Sequence, residues 1–508
     1  MSVTTGRLAG YVLMASGVAG LAWLAWPVAA TAGDAADSTR VADDGLPKVS
    51  QAAKDALNKR YHDIVAKYQK AAVGEPDAWL ALIEVFEAIQ TAEKPIRDGT
   101  GKYRPDVTIP DFSAVFGGSE SADNKGAAKA AIAMLAAYER AGVWTKLDAV
   151  ADRQRCVRPA FDSADDRRLK RATARLEVEA WSGRMTEVMM PELGAMRQLA
   201  RATAAHMHLA AQRKDWGTVA ADYRRLLALS RVGTNDGVLL VGRVGIAIGE
   251  LAHDRAAAAI SAAGEGLPAT LINGLDAALT DQTSHVPSFR LHIQAERLIA
   301  EDAVSQAFTK DGKPDLRWFN RMRQMVGDAP KQVDMNGQNA PEPRSTNAKL
   351  AEVFDTLEAW ADAPWYSNQE LDAKRSKLLG EITTQGKFGI VRIVAPNVST
   401  SREIQLHSRA SIAAMNGALD VYAFKTKTGA LPKSLAAINE GAVALYMDPY
   451  SGKPLIYKPT PDGKGFELWA VGYDRADNGG KLKPGEPMIG FGPKGAGFDV
   501  RVWPREMK

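Results

Sequence analysis

Asp448-Pro449-Tyr450-Ser451-Gly452-Lys453-Pro454-Leu455-Ile456-Tyr457, and then Phe466-Glu467-Leu468-Trp469-Ala470-Val471-Gly472-Tyr473-Asp474-Arg475-Ala476-Asp477-Asn478-Gly479-Gly480, decide the fold of the C-terminal part of this chain. Leu455-Ile456-Tyr457 and Phe466–Val471 carry the aromatic and aliphatic residues that favour strands. Between them Pro461-Asp462-Gly463 supplies a fixed φ, an Asx side chain and a residue tolerant of positive φ, so the two runs read as a hairpin. Ahead of it, residues 402–427 have helical periodicity, with Ile412, Met415, Leu419, Tyr422 and Ala423 on one face. Gly429 and Pro432 then stop the helix. One long helix on a small antiparallel sheet is the expected C-terminal module.

The order of these parts resembles the globular domain of the major pseudopilin family of type II secretion. The carrying residues are the helix ending Leu419-Asp420-Val421-Tyr422-Ala423-Phe424, then Gly429-Ala430-Leu431-Pro432, Asp448-Pro449, Val471-Gly472-Tyr473-Asp474, Asp477-Asn478-Gly479-Gly480 and Phe498-Asp499-Val500. The resemblance implies a calcium site with Asp474, Asp477, Asn478 and Asp499 as ligands. The residue types suit calcium, which takes about six to eight hard oxygens. The same composition also suits a plain acidic turn without an ion. Leu431 stands where the family has Tyr, Ser451 is inserted in the Asp-Pro turn, and the family's Glu-bearing filament helix has no counterpart here. The module resembles a pseudopilin head carried by a different protein.

Working outward, 508 residues predict more than one domain. A net charge of +4, without a Lys/Arg stripe, gives no electrostatic footprint for nucleic acid. The single cysteine, Cys156, rules out an internal disulfide and any multi-cysteine zinc site. Residues 1–32 open with Arg7, run uncharged from Leu8 and close on Ala30-Thr31-Ala32. That pattern fits a signal peptide or an uncleaved membrane anchor, and either exports the bulk to the periplasm or cell envelope. Any membrane contact runs through this segment. Residues 33–48 are acidic, Ala-rich and without period, a flexible leader.

Residues 49–385 read as an irregular helical-hairpin, repeat-like domain. The clearest pair is 192–214 with 217–231, where Met196, Leu199, Thr203, Met207 and Ala210 face Val219, Tyr223, Leu226 and Leu227. This resembles a tetratricopeptide unit, although no clean period recurs. Residues 326–346 read as a loop, 386–401 as a linker, and 402–508 as the α+β module. The fold class is therefore mostly α with a small α+β C-terminal module.

Chemistry-bearing motifs are sparse. Gly490-Phe491-Gly492-Pro493-Lys494-Gly495 fits a dinucleotide pattern, but the residues after it read as a strand and not as the required helix. His206 and His208 fall on different helix faces. His292 with Glu296 reads as a surface pair, and Glu250 with Asp254 as a solvated face. The recurring tryptophans read as packing residues. These features predict an exported, non-enzymatic scaffold that binds a protein partner, with the module as a contact surface. The alternatives are a periplasmic hydrolase with a carboxylate pair assembled from distant segments, and a component of a type II secretion-like assembly.

Overall fold

The structure, a computed structural model, describes residues 49–504 apart from 73, 99–103, 105, 117–121, 175–180, 189, 285, 327–332, 334–339, 396–397, 439–443 and 482–498. The expected signal or anchor (1–32), the expected leader (33–48) and the 490–495 glycine motif lie outside the described residues.

The body is a succession of helices: α1 (Gln51–Ala66), α2 (Ala78–Glu93), α3 (Ala122–Arg140), α4 (Val143–Ala151), α5 (Ala164–Ala174), α6 (Glu192–Gln212), α7 (Trp216–Thr234), α8 (Leu239–Ala263), α9 (Ala269–Thr283), α10 (Arg290–Ser305), α11 (Leu316–Val326), α12 (Pro343–Asp362), α13 (Gln369–Thr384), α14 (Gly389–Val394) and α15 (Ser399–Thr428). Three strands follow, β1 (Ile456–Pro459), β2 (Phe466–Ala470) and β3 (Val500–Trp503), in an antiparallel sheet of order β1-β2-β3. The chain is mostly α with a small α+β module at its end. The expected hairpin is present, with Ile456 opposite Trp469 and Pro459 opposite Phe466.

Local chemistry sets the helix ends. Asp77 caps α2 by accepting from the Trp79 amide at 2.9 Å, and Asp215 caps α7 through the Thr218 amide at 3.1 Å. Gly429 closes α15 in the left-handed conformation, φ 79°, and donates to the Lys425 carbonyl.

The predicted hairpin of α6 and α7 forms the centre, with α8 and α9 packed on α7. Helices α7 and α8 cross at backbone contact: a Cβ on Gly245 would lie 2.5 Å from the Thr234 nitrogen and 2.7 Å from the Ser230 carbonyl. Only glycine permits that approach. Trp79, Trp144, Trp181, Trp318 and Trp360 are buried, in keeping with their reading as packing residues.

Two hydrophobic cores result, and α10 divides them. Leu291, Ala295, Leu298 and Ile299 enter the first core, while Ile293, Ala300, Ala303 and Val304 enter the second with α11, α12 and α14. Two apolar stripes of α10 thus serve two cores, and the remaining stripe, Arg290, Gln294, Arg297, Glu301 and Ser305, is polar and at least partly exposed.

The domain division differs from the expectation. Residues 386–395 and 398–401, within the expected linker, are packed structure: Ile390, Val391, Ile393, Val394 and Val398 are buried in the second core. Val333, within the expected 326–346 loop, is buried against Gly389. Helix α15 packs on α8 and α9 through its first half and on β2 and β3 through its second. Its buried face is built of small residues, Ala410, Ala413, Ala414, Gly417 and Ala418, so the helix seats closely. The first core runs without interruption from the body into the sheet. Among the described residues no helix is long and apolar enough to cross a membrane.

Candidate functional site

The Asp-Pro turn is structural. The Asp448 carboxylate accepts from the amides of Tyr450 (2.8 Å) and Val471 (3.1 Å) and from the Ser451 hydroxyl (2.8 Å), so it ties the turn to the exit of β2. Tyr450 and Tyr473 pack edge to face just beyond it. Tyr473 meets Trp365 in the same way, Arg475 stacks on Trp365, and its guanidinium donates to Asn368 at 3.1 Å. The base of the acidic loop is thus clamped to the α12–α13 connection.

All four residues expected from the sequence come together in this loop. Asp499 accepts from the amides of Asn478 (2.9 Å) and Gly480 (2.7 Å). Asp477 accepts from the Gly479 amide (2.9 Å) and the Trp469 indole N–H (3.0 Å). Asp474 accepts from the Ala476 amide and from the Asn478 side-chain amide, each at 3.1 Å. Burial raises the pKa of Asp499, and the neighbouring Asp477 charge raises it further. The backbone aims N–H groups at Asp499, so a cation there would share that carboxylate with two donors. Among the described residues no group of three or more His, Cys, Asp or Glu side chains is arranged to hold a metal ion.

A second constellation had no signal in the sequence. Arg158 is 1% exposed and pairs with Glu192 at 2.5 Å, with Asp166 and Asp236 at 3.8 and 3.9 Å. Lys170 pairs with Asp166 at 2.7 Å, and Tyr61 donates to Asp236 at 2.7 Å. Trp79 and Phe161 cover the guanidinium. Burial pushes the carboxyls of Glu192 and Asp236 up, with Arg158 pulling the other way. The cluster joins α1, α5, α6 and the α7–α8 turn, and its carboxylates have no solvent access. Glu192 and Asp236 lie 34 and 78 positions from Arg158, so no local pattern could reveal those two pairings.

Two expected surface pairs prove to be interior. His292 and Glu296 are 3% and 5% exposed. Burial lowers the His292 pKa to about 4 and raises that of Glu296 to about 7. Glu250 is 2% exposed and accepts from the Ser411 hydroxyl of α15 at 3.0 Å, while Asp254 is partly exposed. In both cases a neighbouring helix covers what the sequence presents as a polar face. His206 and His208 do point apart: the first stacks on Trp144 and bonds Asp222, the second meets Phe116. Cys156 is buried, with its thiol pushed up to about 12 and therefore inert.

Where α15 crosses α7, α8 and the 282–292 segment, the helices leave a crevice of about 40 Å³. That is room for about three waters. Its polar lining includes Ser230, Arg231, His253, Gln282, His292, Gln405 and Arg409, and no carboxylate.

Comparison of the chain with protein-family models, with curated proteins and with solved structures finds no match.

Proposed function

We propose that this chain is an exported, non-enzymatic protein of the cell envelope, a helical scaffold for protein binding that carries a pseudopilin-like head. The observation that carries the reading is the shared core. Because α15 is buried against α8 and α9, its first half is not free to pack with copies of itself, as a filament subunit's helix must be. The head is instead held at fixed orientation, and the Arg475–Trp365 clamp holds it a second time. A rigid composite surface suits recognition, because little ordering entropy is lost on binding.

The electrostatics favour binding over hydrolysis. Three of the carboxyls with raised pKa values, Glu192, Asp236 and Glu296, are sealed from substrate, and the open crevice is lined by cations and amides, whereas Asp276, raised by burial and by the neighbouring Asp420, is partly exposed. A general acid needs both a perturbed pKa and access to substrate. The proposed calcium ion would take oxygens from Asp474, Asp477 and Asn478 and relieve the repulsion between Asp477 and Asp499. Bound there, it would stiffen the seam between head and body.

Fractionation of cells expressing the full chain tests location: recovery in the periplasmic or membrane fraction is expected, and recovery in the cytosol refutes export. Electron microscopy of the purified protein in calcium tests assembly. Discrete particles are expected, whereas filaments, or co-purification with pseudopilins, would favour the secretion-assembly reading. Hydrolysis of peptide or glycan substrates that is lost in Glu192→Gln would favour the enzyme reading.

A further inference from the structure

The end of the head at which α15 stops and the hairpin turns is rich in lysine. Lys425 and Lys427 lie in the last turn of α15, Lys433 follows in the loop after Gly429, and Lys458 and Lys464 flank the turn between β1 and β2. Three contacts bring these segments together. Lys425 Nζ donates to the Lys464 carbonyl at 2.9 Å, the Tyr457 hydroxyl donates to the Pro432 carbonyl at 3.0 Å, and Tyr422 packs edge to face on Phe466. Lys427, Lys433, Lys458 and Lys464 are exposed, and Lys425 is partly so. No run of basic residues announces this cluster in the sequence, because the fold collects it from a helix end, a loop and a hairpin.

The charge is weakly opposed. Residues 425–434 and 458–467 hold two acids against the five lysines, an excess of three positive charges. Asp462 folds back on its own turn, accepting from the Thr460 hydroxyl at 2.5 Å and from the Lys464 amide at 3.0 Å, and Glu467 lies opposite Lys458 in the register. Lys425, Lys427, Lys433 and Lys458 make no ion pair among the described residues. Lys425 and Lys427 complement the carbonyl end of α15, which accounts for two of the five. The loop and hairpin lysines have no such role.

The kind of cation and its setting select the partner. Lysine is a compact, hydrated point charge on a flexible stem, whereas recognition of a discrete phosphate or carboxylate favours the planar fork of arginine. Neither segment contains an arginine, and Pro461, Asp462, Gly463 and Lys464 stand exposed in sequence at the hairpin turn. Protein interfaces are depleted in lysine. Single-stranded nucleic acid calls for open aromatic faces, but Tyr422, Tyr457 and Phe466 pack on one another. A bilayer with anionic headgroups needs neither a fork nor a pocket, only net positive charge within about a Debye length of its surface.

We propose that this lysine tip docks the head on an anionic phospholipid surface. The inference rests on the envelope reading only for placing a membrane within reach. Each lysine close to such a surface strengthens attachment about fivefold, so three net charges give about 100-fold, a reversible contact. Because head and body share a core, that contact also fixes which way the body faces.

The test is acetylation footprinting of the full-length protein mixed with phosphatidylglycerol–phosphatidylcholine vesicles or with vesicles of phosphatidylcholine alone. The apolar run at residues 8–26 would hold the chain to both kinds alike, so the comparison isolates the tip. Lys427, Lys433, Lys458 and Lys464 should react several-fold more slowly on the anionic vesicles, Lys59 and Lys313 at the same rate on both, and the protection should vanish in high salt. The double variant Lys433→Gln, Lys458→Gln, whose melting curve should match the parent's, should lose the protection of Lys427 and Lys464, an expected drop of about 25-fold in attachment. Equal reaction on the two kinds of vesicle, or protection retained in the double variant, would overturn the inference. So would polyglutamate or duplex DNA, at equal charge concentration, protecting the tip as well as the anionic vesicles do, since the tip would then belong to a protein or nucleic-acid partner. Cell fractionation reads the envelope location separately, so either reading can fail alone.

Discussion

Replacing Arg158 by Met removes the cation from the centre of the buried cluster and leaves the apolar volume nearly filled. Glu192 and Asp236 then lose the one ion-pair partner they have among the described residues, while Asp166 keeps Lys170. Removing one partner of a buried pair typically costs about 3–5 kcal/mol, because an uncompensated charge stays behind. The loss of the stacking on Trp79 and Phe161 adds to this. In a unit this large the melting temperature should fall by about 3–5 °C. The pH dependence makes the prediction specific. Burial already raises both carboxyls in the native protein, and without Arg158 they rise further. A carboxyl with a raised folded pKa contributes stability below its unfolded pKa and loses it as pH rises through the folded value. The deficit of Arg158→Met should therefore be largest near neutral pH and shrink as the solution is acidified toward pH 5. Urea unfolding followed by tryptophan fluorescence reads this at each pH. A deficit below about 1 kcal/mol at pH 7, or one that grows on acidification, would refute the assignment of the cluster as a charge-compensated clamp.

Three further outcomes are expected. His292 and Glu296 carry opposite pH slopes: the unfolded chain binds the extra proton at His292 between about pH 4 and 6.5, the folded chain at Glu296 between about 4.5 and 7. Their contributions cancel where the windows overlap, so Glu296→Gln should make stability rise with pH from about 4.5 to 6.5, and a profile unchanged from the parent would show that the pair does not titrate this way. Calcium in excess should raise the melting temperature of the full chain, by the equivalent of about 2.7 kcal/mol at a hundred times its dissociation constant. Asp474→Ala should remove that rise, and an identical melt in EDTA would leave the loop closed by its own amides alone. Gly245→Ala forces α8 away from the α7 backbone and should cost about 1–3 kcal/mol by denaturant titration, while a neutral effect would mean the helices can separate freely.

The parts of this fold that the sequence disclosed are those governed by local rules. Helix α15 stops at Gly429 because few other residues accept that φ, and the hairpin forms where Pro461-Asp462-Gly463 turns between two strand-forming runs. The acidic loop was also legible, since Asp474, Asp477 and Asn478 lie within five positions and only Asp499 had to be brought from further away. Residues 386–401 misled because a short apolar run next to Gly and Pro looks the same whether it spans a gap or fills a core. Glu250, His292 and Glu296 misled for the opposite reason. A helical period identifies which residues share a face, but not whether another helix will cover it; α15 covers Glu250, and the start of α8 covers His292 and Glu296. Arg158 and the crevice arginines had no local signature. A charged residue is buried by its partners, and those partners lie on other elements.

The position of α15 also sets an order of events during synthesis. The helices it covers, α8 and α9, leave the ribosome roughly 140 residues before it does, an interval of about 7–28 s at ordinary elongation rates. Throughout that time the apolar faces of α8 and α9 have no cover, and the first core cannot close. The nascent chain must therefore remain collapsed but unfinished, or be held by a chaperone, until its last hundred residues arrive. Truncation anywhere before Val421 should yield a chain that aggregates and not a smaller folded protein, so messages or proteases that shorten the C-terminus act on the whole molecule.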